Sequence, residues 1–168
     1  MDLKSIKSAQ WNYRKGIAQL INNQSVLLSM TVGGQESEVL LGGRRLKIKK
    51  TGFWRPKLTI TEMGSILLTQ TTTGLCGYTR EVRIGGRLYT GKASAMMHFN
   101  VTYRNAQGNE VLSYHMNAWK WKPTPQFIIN ELAAPSEDVL LLLIVGYRTI
   151  RKLKQDSDST ATIVAATG

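Results

Sequence analysis

The chain has 168 residues, 42% of them hydrophobic, and carries 22 Lys and Arg against 11 Asp and Glu. This length and apolar content suit one domain with a real core and exclude a disordered chain. The net charge of +11 predicts attraction to polyanions such as anionic lipid, nucleic acid or acidic proteins, although a basic surface can also serve only for solvation.

Cysteine content and hydropathy exclude several further classes of protein. Cys76 is the only cysteine, so neither an intramolecular disulfide nor a cysteine metal cluster can form. The first residues contain no apolar signal-peptide region, and no stretch approaches the roughly 20 apolar residues of a spanning helix. We therefore expect a cytoplasmic protein that is not transmembrane and that contacts a membrane only peripherally.

The first 24 residues form an N-terminal segment whose pattern fits two structures. Tyr13, Ile17, Leu20 and Ile21 share one helical face, whereas Trp11 has the same strand parity as Tyr13, Ile17 and Ile21. Gly16 weakens a helix. This segment is either a short amphipathic helix or a first strand.

From residue 25 onward the pattern predicts β-strands. In "RRLKIKK", Leu46 and Ile48 alternate with Lys47 and Lys49, as in a strand with one buried face. The Gly-Gly pair between "REVRI" and "RLYTGK" predicts a two-residue hairpin loop with positive φ. Turn signals recur about every 8 to 12 residues, which is typical of an antiparallel barrel or sandwich.

A helix is predicted at the end of this domain, over residues 136–155, followed by a polar tail at 156–168. Ser136 suits the N-cap, and the acidic residues after it complement the helix dipole. The run Val139–Val145 is apolar on every side, too short to span lipid and without the polar face of an interfacial helix. Such a helix is enclosed by protein, either in an oligomer interface or by its own sheet.

The fold expected for residues 25–155 is therefore mainly β (α+β): a closed antiparallel β-barrel that encloses a C-terminal hydrophobic α-helix. Three segments, in this order along the chain, are similar to those of a known protein family. These are "RLKIKKTGFWRPKLTITEMGS" from Arg45, the hairpin "REVRIGGRLYTGK" and the closing "VLLLLIVGYRTI". In them the chain resembles the tubby-like C-terminal superfamily of tubby proteins, phospholipid scramblases and LURP-one-related proteins.

The resemblance implies a barrel around a central helix and, for tubby proteins, binding of phosphoinositides through basic residues on the barrel. The chain departs from the family in three respects. No tubby lipid-binding motif matches residue by residue, "NELAAPSED" lacks the ligands of a calcium loop, and the cysteine cluster of scramblases is absent.

The best candidate site is the basic hairpin. Residues 44–61 contain seven Lys or Arg and no Asp or Glu. Neighbouring strands lie about 4.8 Å apart, so their cations could converge on one phosphate-bearing ligand. Outer strand faces are also often lysine-rich merely to prevent edge pairing. The predicted anion- and lipid-binding residues are Lys47, Lys49, Arg55, Lys57 and Trp54.

Other chemistry-bearing residues are weaker candidates. Trp119 and Trp121 are exposed and could form an interface if the preceding strand ends near Asn117, or are core if a bulge reverses the faces. His98 and His115 could approach each other in one hairpin, but no third ligand is evident, so no metal is predicted. We expect no cofactor and no catalytic residue, Cys76 included.

The sequence thus favours a non-enzymatic binding module that associates with anionic phospholipid headgroups or another phosphate-bearing ligand through a basic outer face. Nucleic-acid binding through the same charges ranks lower, because no recognition helix or RNA-binding motif is visible. A structural scaffold without a small ligand is the third alternative.

Overall fold

The computed structural model describes residues 3–73, 78–95, 98–117 and 124–167, which form a short helix, twelve strands and a long helix. The elements are α1 (Leu3–Lys7), β1 (Gln10–Arg14), β2 (Ile17–Asn22), β3 (Ser25–Thr31), β4 (Glu36–Leu41), β5 (Arg44–Thr51), β6 (Lys57–Glu62), β7 (Ser65–Thr73), β8 (Thr79–Ile84), β9 (Arg87–Ala95), β10 (His98–Arg104), β11 (Glu110–Asn117), β12 (Gln126–Ile129) and α2 (Ser136–Thr167).

Consecutive strands pair antiparallel, so the sheet order follows the chain from β1 to β12. The sheet curls into a nearly closed barrel whose two edges are β1 and β12. Side chains link the two ends of the sheet. Lys7 of α1 forms an ion pair at 2.9 Å with Glu131, which follows β12, and Trp11 Nε1 on β1 donates a hydrogen bond at 3.2 Å to the Tyr114 hydroxyl on β11. The predicted antiparallel barrel is confirmed.

Tight turns with positive φ set the register of the hairpins. Gly85 and Gly86 join β8 to β9 with φ of 50° and 83°, which are the two positive values of the predicted primed turn. Lys15 and Gly16 have the same pattern between β1 and β2, with φ of 49° and 81°. Gly16 therefore belongs to a turn and does not interrupt a helix.

Both structures expected for the N-terminal segment occur in it, because a short helix is followed by the first strand. After α1, β1 and β2 form a hairpin, and β2 pairs with β3 along the same sheet. Trp11 and Leu20 lie buried in the common core. A Lys-Gly turn is a weaker signal than Gly-Gly or Asn-Gly, and this is why the hairpin was not evident in the sequence.

Helix α2 begins at Ser136, as predicted, and lies inside the barrel. No side chain from Val139 to Val145 is more than 7% exposed. The helix packs against β9, β10 and β11. The prediction of a hydrophobic helix enclosed by its own sheet is confirmed.

The start of α2 defines one end of the barrel, called here the entry end, where β4–β5, β6–β7 and β8–β9 also turn. Asp138 is fully buried there and accepts hydrogen bonds from Arg87 at 2.6 and 2.7 Å and from the Tyr89 hydroxyl. Arg44 donates to Glu62 at 2.8 and 2.6 Å and to Glu137 at 3.1 Å. Both ion-pair clusters hold the first turn of α2 against the strands.

The opposite end is the exit end, where α2 leaves the barrel and where β3–β4 and β5–β6 turn. Arg148 donates there to Ser37 Oγ at 2.7 Å and to the Thr31 carbonyl at 3.3 Å. One turn further on, the Arg151 guanidinium lies 4.2 Å from the centre of the Tyr13 ring.

The sequence predicts a helix that ends at Gln155 and is followed by a polar tail. In the structure the helix continues to Thr167. Lys152 pairs with Asp156 at 2.7 Å and Lys154 pairs with Asp158, both four residues apart. Each such pair stabilises a helix by about 0.2 to 0.5 kcal/mol. The acidic residues after Gln155 therefore extend the helix.

Two buried tyrosines should respond oppositely to loss of the hydroxyl. The Tyr147 hydroxyl has no hydrogen-bond partner among the described residues, whereas that of Tyr114 donates to the Leu143 carbonyl at 2.8 Å and accepts from Trp11. We expect Tyr147→Phe to raise the free energy of unfolding by about 1 kcal/mol and Tyr114→Phe to lower it by about 1 to 3 kcal/mol. Urea unfolding of the two variants checks this, and equal effects would contradict it.

Candidate functional site

All three lysines of the predicted site lie on the outer barrel surface, as strand parity required. On β5, Leu46 and Ile48 point inward and are buried, whereas Lys47 and Lys49 are exposed. Lys57 is the first residue of β6 and is also exposed. β5 and β6 are neighbours in the sheet, so the three ammonium groups lie on one surface.

Strand β4 adds carboxylates to this surface that the sequence of the hairpin alone did not suggest. Glu36 and Glu38 lie directly opposite Lys49 and Lys47 across the β4–β5 ladder. Lys49 Nζ is 3.1 Å from Glu36 Oε1, and both side chains are more than half exposed. Such an exposed pair contributes little stability, but it offsets the positive charge on the β4 side of the hairpin.

The tip of the same hairpin has the opposite character. Phe53 and Trp54 are 88% and 91% exposed, and their rings stack edge to face with centroids 5.5 Å apart. Gly52 makes the tight turn possible: its φ is 80°, and a Cβ there would lie 2.9 Å from the Arg55 carbonyl oxygen. The backbone thus holds two large aromatic rings away from the barrel.

The tip also carries cations without acidic neighbours. Arg55 and Lys57 are exposed, and no carboxylate among the described residues lies within ion-pair distance of either. We call Phe53, Trp54, Arg55 and Lys57 the aromatic–basic tip. It lies at the exit end, which is also where α2 leaves the barrel.

The histidine pair lies on the outer surface of β10 and β11. The ring centroids of His98 and His115 are 5.0 Å apart, and His115 Nδ1 lies 2.6 Å from Asn100 Oδ1. Across the described parts of the chain, no group of three or more His, Cys, Asp or Glu is arranged to hold a metal ion.

Other predictions fall on residues that the structure does not describe. Trp119, Trp121 and Cys76 lie outside the described ranges. Strand β11 ends at Asn117, and its inward residues Leu112, Tyr114 and Met116 are buried. Among the described residues, no helix is long and apolar enough to cross a membrane.

The fold defines the class of this protein: a nearly closed twelve-stranded antiparallel barrel with its own C-terminal helix packed inside. No protein-family model matches the chain, and no curated protein or solved structure matches it either.

Proposed function

We propose that this protein is a non-enzymatic binding module that associates peripherally with anionic phospholipid surfaces through the aromatic–basic tip. The observation that carries the proposal is the presence of two aromatic rings about nine-tenths exposed beside Arg55 and Lys57. Large exposed aromatic side chains are costly in water and favourable at the headgroup level of a bilayer.

Each part of the tip has a distinct role in this proposal. The rings of Phe53 and Trp54 enter the interfacial layer of the membrane. Arg55 and Lys57 contact lipid phosphates, and each basic residue near an anionic surface contributes about 1 kcal/mol. Lys47 and Lys49 lie further along the same hairpin and add long-range attraction, reduced by the glutamates of β4.

Kinship with the tubby-like superfamily is part of this proposal. It is suggested by three sequence segments, and the barrel around a C-terminal helix that it implies is also present in this chain. Tubby proteins bind phosphoinositides through basic residues on the barrel, so a lipid ligand fits the same kinship.

Vesicle co-sedimentation tests the proposal with matched variants. Lys57→Glu at the tip should weaken binding to phosphatidylserine-containing vesicles by about tenfold, since the change of two charges acts where lipid approaches. Lys92→Glu makes the same charge change on exposed β9, away from the tip, and should weaken binding much less. Trp54→Ser should weaken binding without any change of charge.

Two results would contradict the proposal. Equal binding to phosphatidylcholine and phosphatidylserine vesicles would show that anionic lipid is not the ligand. Equal losses of vesicle affinity in Lys57→Glu and Lys92→Glu would show that the tip is not the contact surface. A parallel titration with duplex and single-stranded DNA serves as the alternative arm. Tight binding there with a steep salt dependence, together with weak vesicle binding, would make nucleic acid the ligand.

A further inference from the structure

Four arginines lie at the ends of the barrel, Arg44 and Arg87 at the entry end and Arg80 and Arg148 at the exit end. At the entry end, hydrogen bonds to Glu62 and Asp138 raise the pKa of Arg44 and Arg87, respectively. At the exit end, Arg80 and Arg148 have only neutral partners among the described residues, and burial lowers the pKa of both. The two ends of the barrel therefore differ in whether their cations are neutralised.

Arg80 is the more deeply buried of the two exit-end arginines. It shares the inward parity of Val82 and Ile84 on β8 and is only 8% exposed. Its Nη1 donates to the Tyr78 carbonyl at 3.3 Å, the one hydrogen bond that the described residues give to a group with five N–H donors. Burying a cation without a carboxylate costs several kcal/mol.

The surroundings of Arg80 are polar, in contrast to the apolar layer deeper in the barrel. Thr72 pairs with Arg80 across the β7–β8 ladder. The next inward residue of β7 is Gln70, which is buried and accepts a hydrogen bond from the Tyr103 hydroxyl at 3.3 Å. Lys50 on β5 also has inward parity and is half-buried. The row opposite Ile48 from β5 to β8 is aliphatic and buried, and consists of Ile48, Ile60, Leu68 and Ile84.

No described residue supplies a carboxylate to Arg80. The carboxylates of the described residues lie at the entry end, on outer strand surfaces, or on α2 beyond the barrel, where they pair with lysines. The sequences 74–77, 96–97 and 118–123 contain no Asp or Glu. A guanidinium that is desolvated yet unneutralised is favourable only if something else provides the charge.

We propose that the exit-end interior binds an oxyanion of the phosphate type, with Arg80 as its bidentate ligand. The planar fork of arginine donates two parallel hydrogen bonds to such a group. This site is distinct from the exposed aromatic–basic tip and does not depend on the proposed membrane contact.

The test compares two arginines of one strand. Arg80→Met removes the inward guanidinium, and Arg83→Met removes an exposed one that pairs with Glu81 at 2.7 Å on the outer surface. Isothermal titration with inorganic phosphate, at constant ionic strength set with chloride, should show saturable binding to the unaltered protein and to Arg83→Met. In Arg80→Met, affinity should fall by at least about tenfold.

A second variant and a lipid probe allow the proposal to be tested even if Arg80→Met is unstable. If Arg80→Met folds poorly, Arg80→Lys retains the charge but loses the fork, and should weaken phosphate binding severalfold. Vesicles containing phosphatidic acid present the same group on a lipid, so Arg80-dependent binding to these vesicles alone would assign a lipid source. Binding of neither probe, or equal affinities of Arg80→Met and Arg83→Met for both probes, would overturn the proposal.

Discussion

Replacement of Arg87 by methionine is expected to lower the free energy of unfolding by about 3 kcal/mol, because it leaves the Asp138 carboxylate buried without its cation. The Asp138 side chain is 1% exposed, and Arg87 binds both of its oxygens, at 2.6 and 2.7 Å. Arg87 itself is about half exposed, so water can reach the Asp138 carboxylate once the arginine side chain is removed. The expected loss of stability is therefore at the lower end of the range for a broken buried ion pair.

A double-mutant cycle separates the pair from its surroundings. Asp138→Asn removes the charge and keeps the shape, and adding it to Arg87→Met should recover a large part of the loss, because the amide is cheaper to bury than the carboxylate. Arg83→Met, an exposed arginine of the preceding strand, should change stability by less than about 0.5 kcal/mol. Urea unfolding gives all four values, and additive effects in the cycle would contradict a direct pairing.

The contrast between the two barrel ends connects stability with function. At the entry end, carboxylates of α2 and β6 neutralise the inward arginines and fix the start of the helix. At the exit end, cations on the strands, the helix and the hairpin tip have few acidic partners among the described residues. Unneutralised buried charge destabilises a fold, and for this reason the oxyanion site proposed above is placed at the exit end.

Much of the fold could be predicted from the sequence because burial in this barrel follows strand parity closely. Leu46 and Ile48 against Lys47 and Lys49 set the faces of β5, and the uninterrupted apolar run Val139–Val145 required enclosure by protein. The first hairpin could not be predicted because its turn is Lys15-Gly16. Lysine seldom adopts positive φ, so a lysine in the sequence does not indicate such a turn.

The candidate site was harder to predict, since it depends on neighbours across the sheet. The basic hairpin contains no acid within its own sequence, yet β4 places Glu36 and Glu38 opposite its lysines. Parity could have identified Arg80, because in "REVRI" it alternates in phase with Val82 and Ile84. Whether an inward arginine meets a carboxylate depends on residues brought close only by folding.

Gly146→Ala is expected to lower the free energy of unfolding by about 2 kcal/mol or more, although alanine favours an isolated helix over glycine by about 1 kcal/mol. Gly146 lies in the enclosed part of α2. A Cβ at this position would lie 2.5 Å from Tyr114 Cε2 and 3.2 Å from Tyr103 Cε2. Overpacking therefore outweighs helix propensity.

The Tyr114 ring cannot easily move aside, because its hydroxyl donates to the Leu143 carbonyl at 2.8 Å and accepts from Trp11 on the edge strand β1. Tyr114→Leu removes the clashing ring atoms, so in that background Gly146→Ala should cost little. Exposed Gln155→Ala on the same helix is the control and should stay within about 0.5 kcal/mol. If Gly146→Ala costs the same with and without the Tyr114 ring, close helix–strand packing is not the reason for the glycine; if the cost disappears, this glycine is what allows the helix to approach the barrel wall.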